Sequence, residues 1–455
     1  MLGTVIKSLF ARQTPPAQDV AAPARGMTWP VKSKVAPRDS RLVLGFSGPS
    51  RSGIFLGYMQ AQKALFERCG YQYRLVSFEA TDWHSQLLDA LQEGVRCVVA
   101  PAGAGIQLFK VGTGCPWAMA GIPFIKLLGD HPAYFPDRHK QTSPAHVNLY
   151  AFPEHLDFFE RRLRGPTTSE GISAQLPILG LPPPGFDKAS IPTKRNGRLA
   201  FYKNGNDPDK LRRLWQDNLP VKVASLLNAA ADELRADLST QSDVLAIERV
   251  IDRTARLMDI SPLLPHDLLC FLTAQLDDYA RRAKSTLLGR VLAKYPVDIY
   301  GDFWEHVDFT DGPAVWHGSG TYQQMMASAP DYLALIDMSP NTVGSVHERV
   351  GHAAIYHTLC LTNATPFLAD YFPEMAQYAF DFNLESVSAA IEKTLARPQE
   401  AVAAGYAAAE SFARNFPDDR LVNAIISAAD LAHARLTRPV VQNFCIWSST
   451  NVGVS

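Results

Sequence analysis

DYLALIDMSPNTVGSVHERVGHAAIYHTLCLTN, residues 331–363, is the stretch whose reading decides the fold. Residues 332–336 are an apolar run of buried-strand length. Asp337, Ser339, Pro340 and Asn341 supply turn chemistry. From Ser345 onward Val346, Val350, Ala353 and Ala354 fall near helical spacing, and residues 359–362 return to a strand pattern. Strand, loop, helix and strand in that order form a βαβ unit. Such a unit puts the loop and the helix N-terminus at the carboxyl edge of a parallel sheet, where phosphate-bearing ligands bind. Glu348 and Arg349 then stand in the first helical turns at that rim, one able to accept hydroxyls, the other a fork for an oxyanion.

The same alternation extends in both directions. Residues 14–40 are rich in Pro and Ala and read as a flexible leader. Strand patterns follow at 41–48, 72–78, 95–100, 122–128 and 147–152. Helical patterns lie at 50–70 and 83–93, and another starts at Pro153. A proline-rich run at 176–184 is a natural linker. A second series opens at 198–203 and is interrupted by Leu- and Ala-rich helical pattern over 208–295. It resumes at 297–302 and the opening stretch, then adds a strand at 378–382 and helices from Glu385, Pro398 and Asp419. The expected fold class is α/β, two Rossmann-like domains with a helical insertion in the second. The expected divisions are a leader 1–40, an N-terminal domain 41–184, a C-terminal domain 185–430 and a tail 431–455.

Length agrees, since 455 residues exceed one ordinary core. A composition of 47% hydrophobic and 20% charged residues is that of a globular protein, and a formal net charge of −1 argues against nucleic acid as partner. The six cysteines are scattered singly, which favours reduced thiols and a cytoplasmic location. No apolar run is long enough for a membrane span.

The second half resembles the nucleotide-sugar-binding domain of GT-B fold glycosyltransferases, above all the group whose C-terminal domain is shared with spore-maturation-protein-like glycosyltransferases. The residues that carry the likeness are Ile299-Tyr-Gly-Asp-Phe-Trp, Tyr322 at the head of a helix, Ala334-Leu-Ile-Asp-Met-Ser-Pro-Asn, His347-Glu-Arg-Val-Gly-His-Ala-Ala and Leu359-Cys-Leu-Thr-Asn, with the Ala-rich helices after Phe382. The resemblance implies transfer of a sugar from a nucleotide-sugar donor to a glycan, lipid-linked or protein acceptor, as in bacterial glycoconjugates. It implies a nucleotide-sugar co-substrate, no other cofactor and no metal. Three positions depart from the group, one of them His357, where a small residue is expected near the helix end. Its acidic residue three after the helix arginine, suited to ribose, is His352 here. The paired-glutamate pattern of retaining relatives is absent, with Val343 at the relevant position, so inversion is expected. A sugar-nucleotide epimerase and a non-catalytic GT-B-like scaffold in a glycan or appendage assembly complex are the alternatives.

Within that frame Arg349 and Lys203 are the candidates for the donor diphosphate, Lys203 ending the first strand of the second domain. Glu348 and His352 are candidates for ribose or sugar hydroxyls. Ser345 would offer a backbone amide to phosphate, and Gly301 and Trp304 would shape a nucleobase pocket. For the base that takes the acceptor proton, adjacent Asp130 and His131 follow an apolar strand and should sit at its sheet's carboxyl edge. His139 and His155 are weaker candidates. Ser47, Gly48 and Ser50 form a small-residue loop that acceptor or sugar could approach. That loop lacks the Walker and dinucleotide fingerprints, which weighs against an ATPase or an NAD oxidoreductase.

Overall fold

In a computed structural model, residues 27–29, 33–48, 53–106, 115–140, 143–165, 170–238, 244–259, 266–339, 341–436 and 444–446 are described. Contacts divide the chain into two compact units. One takes in Met1–Ala151, Leu156–Leu176 and Asp418–Ser455, the other Phe152–His155 and Pro177–Pro417.

The first unit is built on a parallel sheet of Leu42–Ser47 (β1), Gln72–Ser77 (β2), Cys97–Pro101 (β3), Phe124–Leu128 (β4), His146–Tyr150 (β5) and Ile172–Gln175 (β6), in spatial order β2-β1-β3-β4-β5-β6. β1, β3, β4 and β5 are buried along their whole length. A strand covered on both faces needs continuous apolar runs rather than alternation, which is why these segments read as they do. Helices Ile54–Arg68 (α1) and Trp83–Glu93 (α2) make the first two crossovers. The helix Asp418–Arg435 also belongs here: Arg68 pairs with Asp418 at 2.7 Å, and Asp430 pairs with Arg96. The sequence reading had carried the second domain on to residue 430.

The second unit has its own parallel sheet, Leu199–Tyr202 (β7), Val297–Tyr300 (β8), Val315–Gly318 (β9), Ala334–Ile336 (β10) and Leu359–Leu361 (β11), in order β9-β8-β7-β10-β11. Successive strands run outward from β7 in one direction, then the chain returns to lay β10 against β7's other side. The carboxyl ends of β7 and β10 therefore flank a topological switch point, where the crossovers on either side diverge and leave a crevice. Helices Pro208–Asn218 (α3), Val221–Ala236 (α4), Val244–Leu257 (α5) and His266–Leu292 (α6) form the insertion between β7 and β8. Glu348–Ile355 (α7) crosses from β10 to β11, and Leu384–Ala396 (α8) and Pro398–Asn415 (α9) complete the unit.

Two local expectations change. The segment 378–382 forms only an isolated bridge, Asn363 to Phe380, because Tyr378, Phe380 and Phe382 are consumed as buried pegs in the core. β9 had no counterpart in the sequence reading; it is an edge strand with alternating exposure and too few apolar residues to signal itself.

Trp304 is a core residue of this unit, fully buried, its indole N–H donating to the Lys203 carbonyl at 2.7 Å and its ring against Phe201. The expected role in a nucleobase pocket is corrected accordingly. Its neighbour Phe303 is 47% exposed. Trp304→Ala should lower stability by about 3–5 kcal/mol, whereas Phe303→Ala should change it by less than about 1 kcal/mol. Urea titration of both variants checks this, and equal losses would contradict the placement of the indole.

Candidate functional site

The loop leaving β10 is held by side chains from several elements. The Ser339 amide donates to Asn363 Oδ1 at 2.7 Å, just past β11. Asn341 donates to Asp277 Oδ1 at 2.6 Å and accepts from Lys284 Nζ at 3.2 Å, so two residues of α6 grip the loop. The His347 amide donates to Ser339 Oγ at 3.0 Å. The insertion thus forms one wall of the switch-point crevice.

α7 begins at Glu348, with extended His347 as its N-cap, and not at Ser345. Ser345 is fully buried in the loop, and the neighbouring Gly344 amide is already bonded to Glu154 Oε1 at 2.7 Å. The expectation of a Ser345 amide presented to phosphate at a helix start is therefore corrected, since the helix starts three residues later.

Arg349 lies in the first turn of α7. Its Nε donates to Asp337 Oδ1 at 2.6 Å, and Asp337, the first residue after β10, is fully buried. That bond uses one of the five guanidinium donors. Among the described residues the two Nη groups have no protein partner, although the side chain is only 15% exposed. Lys203 stands directly after β7, across the switch point from Asp337, and is half-buried with its ammonium likewise unbonded among the described residues. Burial lowers its pKa to about 7, helped by the positive charges of Arg281 and Arg349 and opposed by Asp337 and Asp278. Three cations from three elements, β7, α6 and α7, thus crowd one crevice. Their mutual repulsion is what an incoming polyanion relieves.

Among the described residues, buried polar atoms without a hydrogen-bond partner on or beside this loop include Asp337 Oδ2, Thr342 Oγ1, Ser345 Oγ and Glu154 Oε2. Buried polar atoms are ordinarily bonded. Unbonded ones around this loop leave hydrogen-bonding capacity there.

The other candidates are distributed as follows. Glu348 lies 2.7 Å from His347 Nδ1; burial pushes its carboxyl up, but His347 and Arg349 hold it well below the usual range. His352 is 1% exposed and packed against Gly180, where an added Cβ would lie 2.5 Å from its ring. Burial drops its pKa to about 4, so it is a neutral imidazole in the core. Gly301 serves the backbone: it has φ +137°, its carbonyl accepts from Trp316 Nε1 at 2.7 Å, and a Cβ would meet the Lys203 carbonyl at 2.3 Å.

In the first unit Asp130 is exposed at the end of β4, as its place in the sequence suggests. His131 is turned inward, 2% exposed, with Nδ1 accepting the Ala133 amide at 3.1 Å and its ring edge-on to Phe158. The idea that the two act as an adjacent base and orienting partner is corrected: one faces solvent and the other the core. His139 is buried against Tyr150 OH at 3.0 Å, and His155 is also buried. Ser47 and Gly48 are buried at the end of β1, and Ser50 lies outside the described residues. Among the described residues no group of three or more His, Cys, Asp or Glu could hold a metal ion, and no helix is long and apolar enough to cross a membrane.

Glu154, Arg281, Asp277 and Asn341 were missed by sequence reasoning. Only the spacing of Asp277, Arg281 and Lys284 along one helical face could have hinted at the α6 residues.

No protein-family model matches this sequence, and none of the curated proteins matches it. Among solved structures it is similar to T4 phage BGT in complex with its UDP-glucose substrate, at 9% identity over 86% of this chain and 99% of that one, TM-score 0.46. It is also similar to a glycosyltransferase from Rickettsia africae ESF-5, at 8% identity over 87% and 99%, TM-score 0.44. A third is sucrose-phosphate synthase from Thermosynechococcus elongatus, at 9% identity over 87% and 98%, TM-score 0.41.

The lowered pKa of Lys203 has a consequence for stability. Between about 7 and its ordinary unfolded value the unfolded chain binds more protons, so this group makes stability rise with pH across that window. Lys203→Met removes the charge. The variant should unfold at higher urea than the parent at pH 6, with the difference shrinking as pH rises from 7 toward 10. A difference independent of pH would contradict the assignment.

Proposed function

We propose that the protein is a GT-B type glycosyltransferase of the spore-maturation-protein-like group, binding a nucleotide-sugar donor in the switch-point crevice of its second unit. The observation that carries this reading is the pairing of unbonded cations, Arg349 Nη and Lys203 Nζ, with unbonded buried hydroxyl and carboxylate oxygens on one loop. A diphosphate answers the cations and the Ser345 and Thr342 hydroxyls. Ribose and sugar hydroxyls answer the carboxylates.

In the proposed reaction the acceptor oxygen forms a bond to the anomeric carbon as the bond from that carbon to the diphosphate oxygen breaks, with inversion. The negative charge that develops on the leaving diphosphate is met by Arg349 and Lys203, without a metal ion. Asp130 remains the sequence candidate for the group that takes the acceptor proton. The acceptor would be a glycan, a lipid-linked molecule or a protein, and the setting the cytoplasm of a glycoconjugate-producing bacterium.

Thermal unfolding in the presence of UDP, GDP, CMP or dTDP tests the reading. One of them should protect the chain, worth about 2.7 kcal/mol at a hundredfold excess over its Kd. Arg349→Lys keeps a charge beside Asp337 but loses the fork, and should weaken that nucleotide about tenfold or more. The same variant should lose donor hydrolysis. Protection by none of the four would overturn the proposal.

A second expectation concerns protons. At pH 8 Lys203 is largely neutral in the empty crevice, and a bound diphosphate should recharge it. Calorimetry of nucleoside diphosphate binding in two buffers of different ionisation enthalpy should then report proton uptake, absent in Lys203→Met.

A further inference from the structure

Glu154 reaches the loop after β10 from another part of the second unit. Residues Phe152–His155 group with that unit although they come early in the chain. Glu154 Oε1 accepts two successive backbone amides, Val343 at 2.8 Å and Gly344 at 2.7 Å. Such a converging amide pair favours an anionic oxygen. The fit is close: a Cβ on Gly344 would lie 2.2 Å from Pro153 Cγ, so the loop reaches this carboxylate only because residue 344 is glycine. With Oε1 fixed by two bonds, the plane of the carboxylate and the position of its other oxygen are fixed as well.

That other oxygen, Oε2, is buried and has no hydrogen-bond partner among the described residues. A buried carboxylate oxygen is costly unless a donor reaches it. A phosphate cannot be that donor, because it carries negative charge and lone pairs where a proton is needed. A hydroxyl can. Within the same loop Ser345 Oγ and Thr342 Oγ1 are also buried and unbonded, and both can donate to phosphate. The loop therefore offers hydroxyl donors suited to one end of a nucleotide sugar and a carboxylate acceptor suited to the other.

We infer that Glu154 is a sugar-recognising residue, its Oε1 anchored on the Val343 and Gly344 amides and its Oε2 accepting a hydroxyl of the donor's hexose. This rests on the donor-site reading above. It adds a recognition element from the Phe152–His155 segment, and it gives the otherwise unpaired oxygen its chemical purpose. Selection among sugars follows, because a fixed acceptor favours a sugar whose hydroxyl points at it and rejects one that leaves it unpaired.

The test compares a nucleoside diphosphate with the matching nucleotide sugar, UDP with UDP-glucose and GDP with GDP-mannose, by calorimetry on the full chain. Glu154→Gln keeps an oxygen for the two amides but replaces Oε2 with an NH2 that can only donate. The expected result is an unchanged thermal midpoint, unchanged affinity for the diphosphate and a loss of about tenfold or more for the nucleotide sugar. Glu154→Ala should add a loss of thermal stability from the released loop. If Glu154→Gln binds both ligands as the parent does, or loses both alike, the residue is only a tether and the inference is overturned. If either variant binds the diphosphate more tightly, the carboxylate competes with phosphate for the amides, which overturns it too. Failure of the parent protein to bind any of UDP, GDP, CMP or dTDP, or the nucleotide sugar of whichever protects it, would overturn the donor reading and this inference with it, whereas Arg349→Lys weakening diphosphate and nucleotide sugar in parallel separates the two.

Discussion

The contact between Arg349 Nε and Asp337 Oδ1 is the constraint on which the second unit's site depends. Asp337 comes directly after β10 with no solvent around it, so its charge must be met from within. Arg349 meets it from the first turn of α7, which ties that helix to the end of the strand. Removing either partner would leave the other charge buried and alone, a cost of about 3–5 kcal/mol. Because the bond runs through Nε, the pair fixes the guanidinium without using its outer edge, and the same contact that closes the βαβ unit holds a fork at the switch point.

Around that fork the chain brings together cations from three elements. Lys203 arrives from β7 and Arg281 from α6, while Asp278 is drawn off by Arg282 at 2.8 Å. The insertion takes part directly. Through Asp277, Lys284 and Asn341 it fixes the loop that Asp337 begins, and buried Lys284 adds a contact over the Phe382 ring at 4.5 Å.

The parallel sheets were legible because fully buried strands must be apolar throughout, and residues 42–47, 97–101 and 124–128 obey that rule. α2 matches its expected limits, Trp83–Glu93, since Gly94 at φ +100° ends it where a side chain would be strained. Lys203 and Arg349 could be expected at one sheet edge because strand ends and helix starts follow from the same alternation. Burial of individual side chains could not be read. Trp304 and His131 sit beside exposed neighbours, and nothing in their local sequence says which of the two turns inward. Glu154 was out of reach for a different reason: its partners lie 189 and 190 residues away, and no local pattern encodes a contact at that separation.

The most direct measurement is a crystal structure of the full chain soaked with the nucleoside diphosphate that best protects it from unfolding. The account predicts diphosphate oxygens within about 3 Å of Arg349 Nη and Lys203 Nζ, with the Arg349–Asp337 bond intact. A diphosphate seated elsewhere, or bound only after Arg349 has left Asp337, would contradict it.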